Sequence, residues 1–523
     1  MTEKKALIFL LIIIAIASFF RLWQLSSIPP GLYPDVAING NDAIASLKSG
    51  DFKVFYPDNN GREGLFIWLI ALSFSIFGVS IWSIKIVAAI IGILTVPGLY
   101  LLTKELFNKN IALLSSFFLA ISFWHVNFSR IGFRAILLPF ILVFAFYFLF
   151  RGFRLGSTSS PQTKNILNFL ISGIFFGLGF YTYISYRFII LLLPLVLICW
   201  WFIYQRQNLQ RKFLLSAFYF LFSIFIVALP IGIYFLQNPQ DFLLRTAPIS
   251  IFSAENPIKE FGKSLIFHLG MFNFYGDPNW RHNYAGSPML PWPLGILFLI
   301  GIIFSIKGSI KSLKLKNWSS GINHLSLVSW FFIMLLPGIL TYEGIPHALR
   351  TIGVIPVISI FAGFGGWKIY EFFSRNASRK ILLFTASFLF ILAIGIFEFN
   401  KYFVCWAKNP NLKEAFTKQY AEIGYFLNSL PENVQKYVIV NELGFPLYGI
   451  SIPAQTPMFI ERAKFGEVRS TYLRAEDLDQ IKIGQQKTLI IPLYDGRIFD
   501  ELQKKFPDGK KEEGERFKFY EIE

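Results

Sequence analysis

The sequence predicts an all-α polytopic membrane protein of about 11 transmembrane helices with a C-terminal extracytoplasmic α/β domain. Composition is the first reason: 54% of residues are hydrophobic, 18% aromatic and only 15% charged, with a mean hydropathy of +0.52. Soluble domains carry about a quarter charged residues, so the solvent that suits this chain is a bilayer. Second, the apolar residues gather in runs near the ~20 residues that cross a hydrocarbon core. Third, the charge is divided unevenly. Residues 401–523 hold 18 residues of each sign, so the whole +17 excess lies among the apolar segments. A basic soluble face of the kind that binds nucleic acid is therefore absent, and disorder is excluded by the same composition. Two cysteines, Cys199 and Cys405, make neither a disulfide framework nor a cysteine metal site.

Eleven spans are expected near residues 6–23, 80–102, 110–124, 134–150, 166–182, 187–204, 213–236, 291–306, 324–341, 348–370 and 381–400. The first runs directly into Phe19, Phe20, Arg21 and Trp23 without a small-residue cleavage site, so it reads as an anchor. Leu65–Phe77 is short for a span and reads as interfacial or re-entrant. With the N-terminus in the cytoplasm, the inner loops carry 18 basic residues against three acids. The set begins at Lys4 and Lys5 and includes Lys104, Arg151, Arg206, Lys316 and Arg379. The outer short loops hold seven basic residues, which obeys the positive-inside rule. An odd number of spans then puts the tail outside. The expected organisation is a membrane domain over 1–400, with a first outer loop (24–64) and a long outer loop (237–290), then a soluble domain over 401–523. Within the last, 412–430 reads as helix, and Tyr437-Val-Ile-Val and Thr488-Leu-Ile-Ile read as strands.

Polar residues that stay near the bilayer without being inner-loop anchors are the candidates for function, and they cluster in the outer loops. Asp35 follows a Pro-Gly-rich turn and opens a helix, where a carboxylate held by fixed backbone can act as a base; the alternative is that it only caps that helix. Asn59-Asn-Gly-Arg62-Glu63-Gly64 follows. In the next outer loop Arg130 and Arg134 are four apart, so a helix puts both on one face, suited to a lipid phosphate or to ordinary headgroups by snorkelling. Tyr183 and Arg187 repeat that theme. Arg281 and His282 lie in the long loop, and His347 and Arg350 are spaced to share a helix face at the start of the tenth span. His125, His282 and His347 all fall on the outer side. They show no HxH or HExxH spacing, so no metal site is assigned and no obligatory cofactor is expected; a divalent cation is allowed but has no motif behind it.

On these residues the chain resembles polytopic family 39-type glycosyltransferases of the GT-C fold, the group of the protein O-mannosyltransferases and lipid A aminoarabinose transferases. Tyr33-Pro-Asp35, Asn59-Asn-Gly-Arg-Glu-Gly64, Phe128-Ser-Arg-Ile-Gly-Phe-Arg134 and Pro346-His-Ala-Leu-Arg350-Thr-Ile-Gly353 carry the resemblance, over most of residues 1–370. It implies a polyprenyl-phosphate-linked sugar donor, a hydroxyl acceptor at the non-cytoplasmic face, inversion at the anomeric carbon, and Asp35 as general base. Relatives commonly carry Asp-Glu where this chain has Asp35-Val36, which leaves Glu63 or Asp42 to supply the second acid. Arg62, Arg130, Arg134, Tyr183, Arg187, Arg281, His282, His347 and Arg350 are the candidates for substrate and lipid-phosphate binding. Membrane lipids are the other expected partner; nucleic acid is not. Two other classes compete: a membrane transporter, and a non-catalytic envelope scaffold descended from such a transferase. Spans almost free of mid-membrane acids, and polar residues gathered on one side, disfavour transport.

Overall fold

A computed structural model describes all residues except 1, 157–161, 244–245, 247, 316–317, 376–379 and 515–516; Lys316 and Arg379 of the inner-loop set lie outside the described residues. Among these, nine helices are long and apolar enough to cross a membrane, so the protein is a multi-pass membrane protein. The helix is the structure such runs must take, because it satisfies every backbone group within the segment. All eleven expected spans contain a helix, but two fall short of a plain span. Asn165–Gly179 is a shorter apolar helix, and Lys109–Ile121 breaks and continues as Phe123–Ile131 at a bend of 53°. Leu65–Phe77 is a short helix, as its length predicted.

The bend is built from side chains. Breaking a helix leaves carbonyls unpaired at one end and N–H groups at the other. Arg21, fully buried near the end of the first helix (Glu3–Leu22), donates to Ala120 O (2.8 Å) and Leu119 O (3.3 Å). On the other side of the break, the Glu398 carboxylate accepts the Phe123 N–H at 2.9 Å. Arg21 also donates to His125 Nδ1 (2.7 Å).

The chain forms two compact units. One comprises residues 1–23 and 88–407, the bulk of the helical membrane part. The other joins residues 24–87 to 408–523, so the first outer loop and the following short helix belong with the C-terminal domain instead of with the membrane domain over 1–400. The loop is tied in by main-chain and side-chain bonds. Leu32 O accepts from Thr417 Oγ1 (3.2 Å) and Thr456 Oγ1 (2.9 Å), and the helix Pro34–Ser49 packs on the helix Gln455–Phe465.

The C-terminal part of this second unit is α/β. Gln435–Val440 is the second strand of a five-stranded mixed sheet, parallel to Thr471–Arg474 on one side and to Thr488–Pro492 on the other. Lys518–Ile522 runs antiparallel to Thr488–Pro492, and Lys510–Glu513 closes the edge. Successive residues of a strand face opposite sides. Tyr437 and Ile439 accordingly pack with Ile498, Phe499 and Leu502 of one helix, while Val438 and Val440 pack with Ile423 and Leu427 of another. With both faces covered, both predicted strands are near-continuous apolar runs instead of alternating ones.

Candidate active site

The first-loop candidates lie on and beside the helix Pro34–Ser49. Proline suits the first helical position, where its missing N–H costs nothing, and Pro34 occupies it. Tyr33 is the N-cap and contributes no side-chain bond, so Asp35 is not the cap. It sits in the first turn, among N–H groups without helical partners, where negative charge is favoured. Asn59 Nδ2 donates to Asp35 Oδ1 at 2.8 Å, and the carboxylate is half-buried. Asn39 and Asp42 follow at spacings of four and seven, on the same helix face. Arg62 meets them there: its Nη1 lies 2.5 Å from Asp42 Oδ2 and 3.0 Å from Asn39 Oδ1, and its Nε donates to Asp58 O. Burial pushes the Asp42 carboxyl above its ordinary range, against the opposing pull of Arg62. Glu63 is buried in a two-residue strand pairing with Phe55, and Val36 is fully buried.

In the helical unit the expected arginines separate. The helix ends at Ile131 because Gly132 takes a left-handed φ of +92°, and Arg134 starts a new short turn, so Arg130 and Arg134 do not share a helix face. Arg130 is fully buried. It donates to Phe20 O (2.8 Å) and Trp23 O (2.7 Å), the last carbonyls of the first helix, and lies over the Tyr402 and Phe403 rings. Arg134 instead lies over Tyr183, 5.6 Å from the ring centroid, and Arg187 lies over Phe235 and Phe242. His347 and Arg350 sit in turns ahead of the helix Ile355–Ser374 and diverge. Arg350 donates to Thr341 Oγ1 (2.8 Å) and Glu343 O (2.6 Å), while the His347 ring faces His282 with centroids 4.9 Å apart.

Asp277, which sequence reasoning passed over, is what the two imidazoles share. His282 Nδ1 lies 2.9 Å from Asp277 Oδ2, and His347 Nδ1 lies 4.0 Å from the same atom. Ala348 N–H donates to Oδ2 (2.7 Å) and Asn279 N–H to Oδ1 (2.8 Å), so the carboxylate joins the long outer loop to the penultimate one. The Asp-Pro-Asn sequence that makes this turn was the available signal. Asn127 Nδ2 holds the same loop by donating to Arg281 O at 2.7 Å. Buried His268, whose pKa burial lowers to about 4, accepts the His347 N–H at Nε2 (3.2 Å).

Residues 65–234 match the family model of dolichyl-phosphate-mannose-protein mannosyltransferases. An uncharacterized protein of Aquifex aeolicus is 27% identical over 282 residues, which are 46% of this chain and 53% of that protein; the match spans about half the relative's length. Among solved structures, ArnT from Cupriavidus metallidurans bound to undecaprenyl phosphate is similar with a TM-score of 0.60 at 11% identity, covering 100% of this chain and 98% of ArnT. An oligosaccharyltransferase of Archaeoglobus fulgidus, tethered to an acceptor peptide, is similar with a TM-score of 0.53 at 14% identity, covering 90% of this chain and 64% of that one. The chain thus has the fold of ArnT and of that oligosaccharyltransferase, and over residues 65–234 its sequence is similar to dolichyl-phosphate-mannose-protein mannosyltransferases.

Proposed function

We propose that the protein moves a sugar from a polyprenyl-phosphate donor to a hydroxyl acceptor at the outer face of the membrane, with inversion and with Asp35 as general base. The observation that carries this is the Asp35 carboxylate, half-buried in a first helical turn and oriented by Asn59 at 2.8 Å. A base so held accepts the acceptor's proton as its oxygen attacks the anomeric carbon. The bond from that carbon to the phosphate oxygen breaks, and polyprenyl phosphate leaves. A positioned base contributes about 10²–10⁴-fold, and cationic groups aimed at the departing phosphate stabilise its growing charge. Arg134 with Tyr183 and Arg281 are the side chains we assign to that anion, while Arg350 is bonded to Thr341 and Glu343. Arg130 and Arg62 are committed elsewhere, to helix carbonyls and to Asp42, and act as positioning residues. Likeness to ArnT, whose structure holds undecaprenyl phosphate, supports the donor class. The basic inner loops support a cytoplasmic N-terminus, with the outer loops and C-terminal domain outside.

The test is direct. Purified full-length protein is incubated with a panel of polyprenyl-phosphate sugars and membrane-extract acceptors, and released polyprenyl phosphate is measured. Release from at least one donor, lost in Asp35→Asn, is the expected result. No release from any donor removes the reading.

A further inference from the structure

We infer that Trp406 and Lys401, at the outer end of the last span, are positioning residues for Arg281: they hold the loop that presents its guanidinium to the donor phosphate. The inference rests on the assignment of Arg281 to that anion. Three carbonyls of the long outer loop each accept a hydrogen bond from a side chain outside it. Trp406 Nε1 donates to Trp280 O at 3.0 Å, Asn127 Nδ2 to Arg281 O at 2.7 Å, and Lys401 Nζ to Pro288 O at 3.2 Å. Within the loop, Asn279 Oδ1 accepts the Arg281 main-chain N–H (2.9 Å) and its Nε–H (3.4 Å). The guanidinium is therefore tied to the main chain that the outside donors hold, and follows it.

The last span, Ile381–Trp406, is otherwise a lipid-facing helix, with only 11% of its most apolar stretch buried inside the protein. Its outer end departs from that pattern. Glu398, Tyr402 and Trp406, at spacings of four, are all buried. Such spacings drift around an α-helix by about 40° each. Over Asn400–Trp406 the turn widens to a π-helix, a form often met at functional sites, and Tyr402 and Trp406 both meet the Phe123 ring edge-on, at 5.2 and 5.6 Å. Glu398 takes the Phe123 N–H. The same span end thus also holds the start of Phe123–Ile131, the helix that carries Asn127, the third donor to the loop.

Trp, Tyr and Lys near a span end commonly form an interfacial belt and snorkel to headgroups. Belt side chains meet lipid and water. Here Tyr402 and Trp406 are fully buried, and the Lys401 amine crosses the Phe123 ring to end on a protein carbonyl. Loop holding accounts for these contacts and a belt does not.

The test is a double-mutant cycle read by binding of tritiated undecaprenyl phosphate to full-length protein in detergent. Wild type is expected to bind, and Arg281→Met to bind weakly. Trp406→Phe keeps a buried ring and removes one N–H, so it should weaken binding about 2–12-fold, the fold-change of one net hydrogen bond. Lys401→Met keeps the apolar stem and should weaken it at least as much. In the Arg281→Met background Trp406→Phe should cost nothing further, because residues that act through one another are not additive; a merely structural role leaves the two losses additive. Hydrogen–deuterium exchange over residues 276–289 should speed up in both variants without ligand, and thermal melting identifies any variant that does not fold. Additive losses, unchanged exchange, or wild-type binding by folded Trp406→Phe and Lys401→Met while Arg281→Met binds weakly, each overturn the positioning role and leave the transfer reading standing. Equal binding by wild type and Arg281→Met, or none by wild type, removes the phosphate assignment and the positioning role with it.

Discussion

Asn41 and Gln455, 414 residues apart, are joined by two hydrogen bonds: Asn41 Nδ2 donates to the Gln455 main-chain oxygen at 3.1 Å and to its Oε1 at 2.9 Å. Both residues are buried. The pair joins the helix that carries Asp35 to the helix Gln455–Phe465. The C-terminal domain is thereby part of the scaffold that sets where the first-loop carboxylate stands. A site residue held by packing and buried hydrogen bonds keeps its geometry better than one on an unsupported loop.

Gly40 is where that packing is tightest. A Cβ added there would lie 2.7 Å from the Phe459 ring and 2.8 Å from Ile84 Cδ1. Gly40→Val is therefore expected to destabilise the unit of residues 24–87 and 408–523 by about 1–3 kcal/mol, the usual cost of overpacking. Phe459→Leu in the same chain should recover part of the loss by making room. Thermal unfolding and limited proteolysis of the C-terminal domain check both. Unchanged melting of Gly40→Val would mean the two helices are not packed as described.

The fold was legible wherever a residue's environment is set by its neighbours in sequence. Twenty apolar residues in a row have one solution in lipid, and the runs around Val438 and Ile490 have one solution between helices. What was not legible depends on contacts distant in sequence. No spacing rule joins Asn41 to Gln455, so the first loop was assigned to the membrane domain. Arg130 and Arg134 are four apart, but Gly132 ends the helix between them, and only the structure shows Arg130 spent on Phe20 and Trp23. The helix start beside Asp35 was legible because a proline and a carboxylate together mark one. The cluster around Asp277 was not, because the imidazoles that face it lie five and seventy residues further on.

Arg62 and Asp42 give a pH-dependent expectation. Asp42 is faced by Arg62 and Lys53, by Arg462 from the C-terminal domain, and by Asp58 and Tyr56; burial raises its carboxyl above 3.8 while Arg62 opposes the rise. A raised pKa in the folded state means that the folded chain holds the proton more tightly than the unfolded one. Stability then falls as pH climbs from the unfolded value through the folded one, and is level above it. Arg62→Met removes the opposing charge and should widen that window upward. It should also cost about 3 kcal/mol near neutral pH, the low end for breaking a buried pair, because Asp42 keeps 23% of its side chain exposed. Melting temperature against pH should slope downward more steeply in the variant than in wild type. Equal slopes would mean that Asp42 and Arg62 are not coupled.

Arg130→Met separates a positioning role from direct phosphate binding. Two charge-assisted bonds to the Phe20 and Trp23 carbonyls are lost, at about 1.5–3 kcal/mol each. The expected result is a lower melting temperature with donor KM changed less than threefold in the protein that remains folded. Arg134→Met should instead raise donor KM, because its guanidinium, which lies over Tyr183, is assigned to the donor phosphate. Parallel titration of both variants with polyprenyl-phosphate sugar checks the contrast. A large KM rise in folded Arg130→Met would return that residue to the phosphate-binding set.

Asp35→Asn should abolish transfer while leaving folding largely intact. Asn keeps the shape and can still pair with Asn59, whose Nδ2 now donates to Asp35 Oδ1. Because Tyr33 and not Asp35 is the N-cap, no cap is lost, and the helix gives up only the charge–dipole term of about 0.3–1 kcal/mol. An amide cannot take the acceptor's proton, so a base role requires a rate loss of about 10²-fold or more. Asn59→Ala, which frees the carboxylate to rotate, should cost less and act on kcat more than on KM. Glu63 is the other first-loop acid offered as catalytic, and it is buried in the strand that follows Arg62. Glu63→Gln should therefore impair stability more than chemistry. Single-turnover release of polyprenyl phosphate, corrected for folded fraction, distinguishes the two. If Asp35→Asn turns over at near-wild-type rate while folded Glu63→Gln is inactive, the base is Glu63; if both variants remain active, the first loop is structural and the proposed mechanism is wrong.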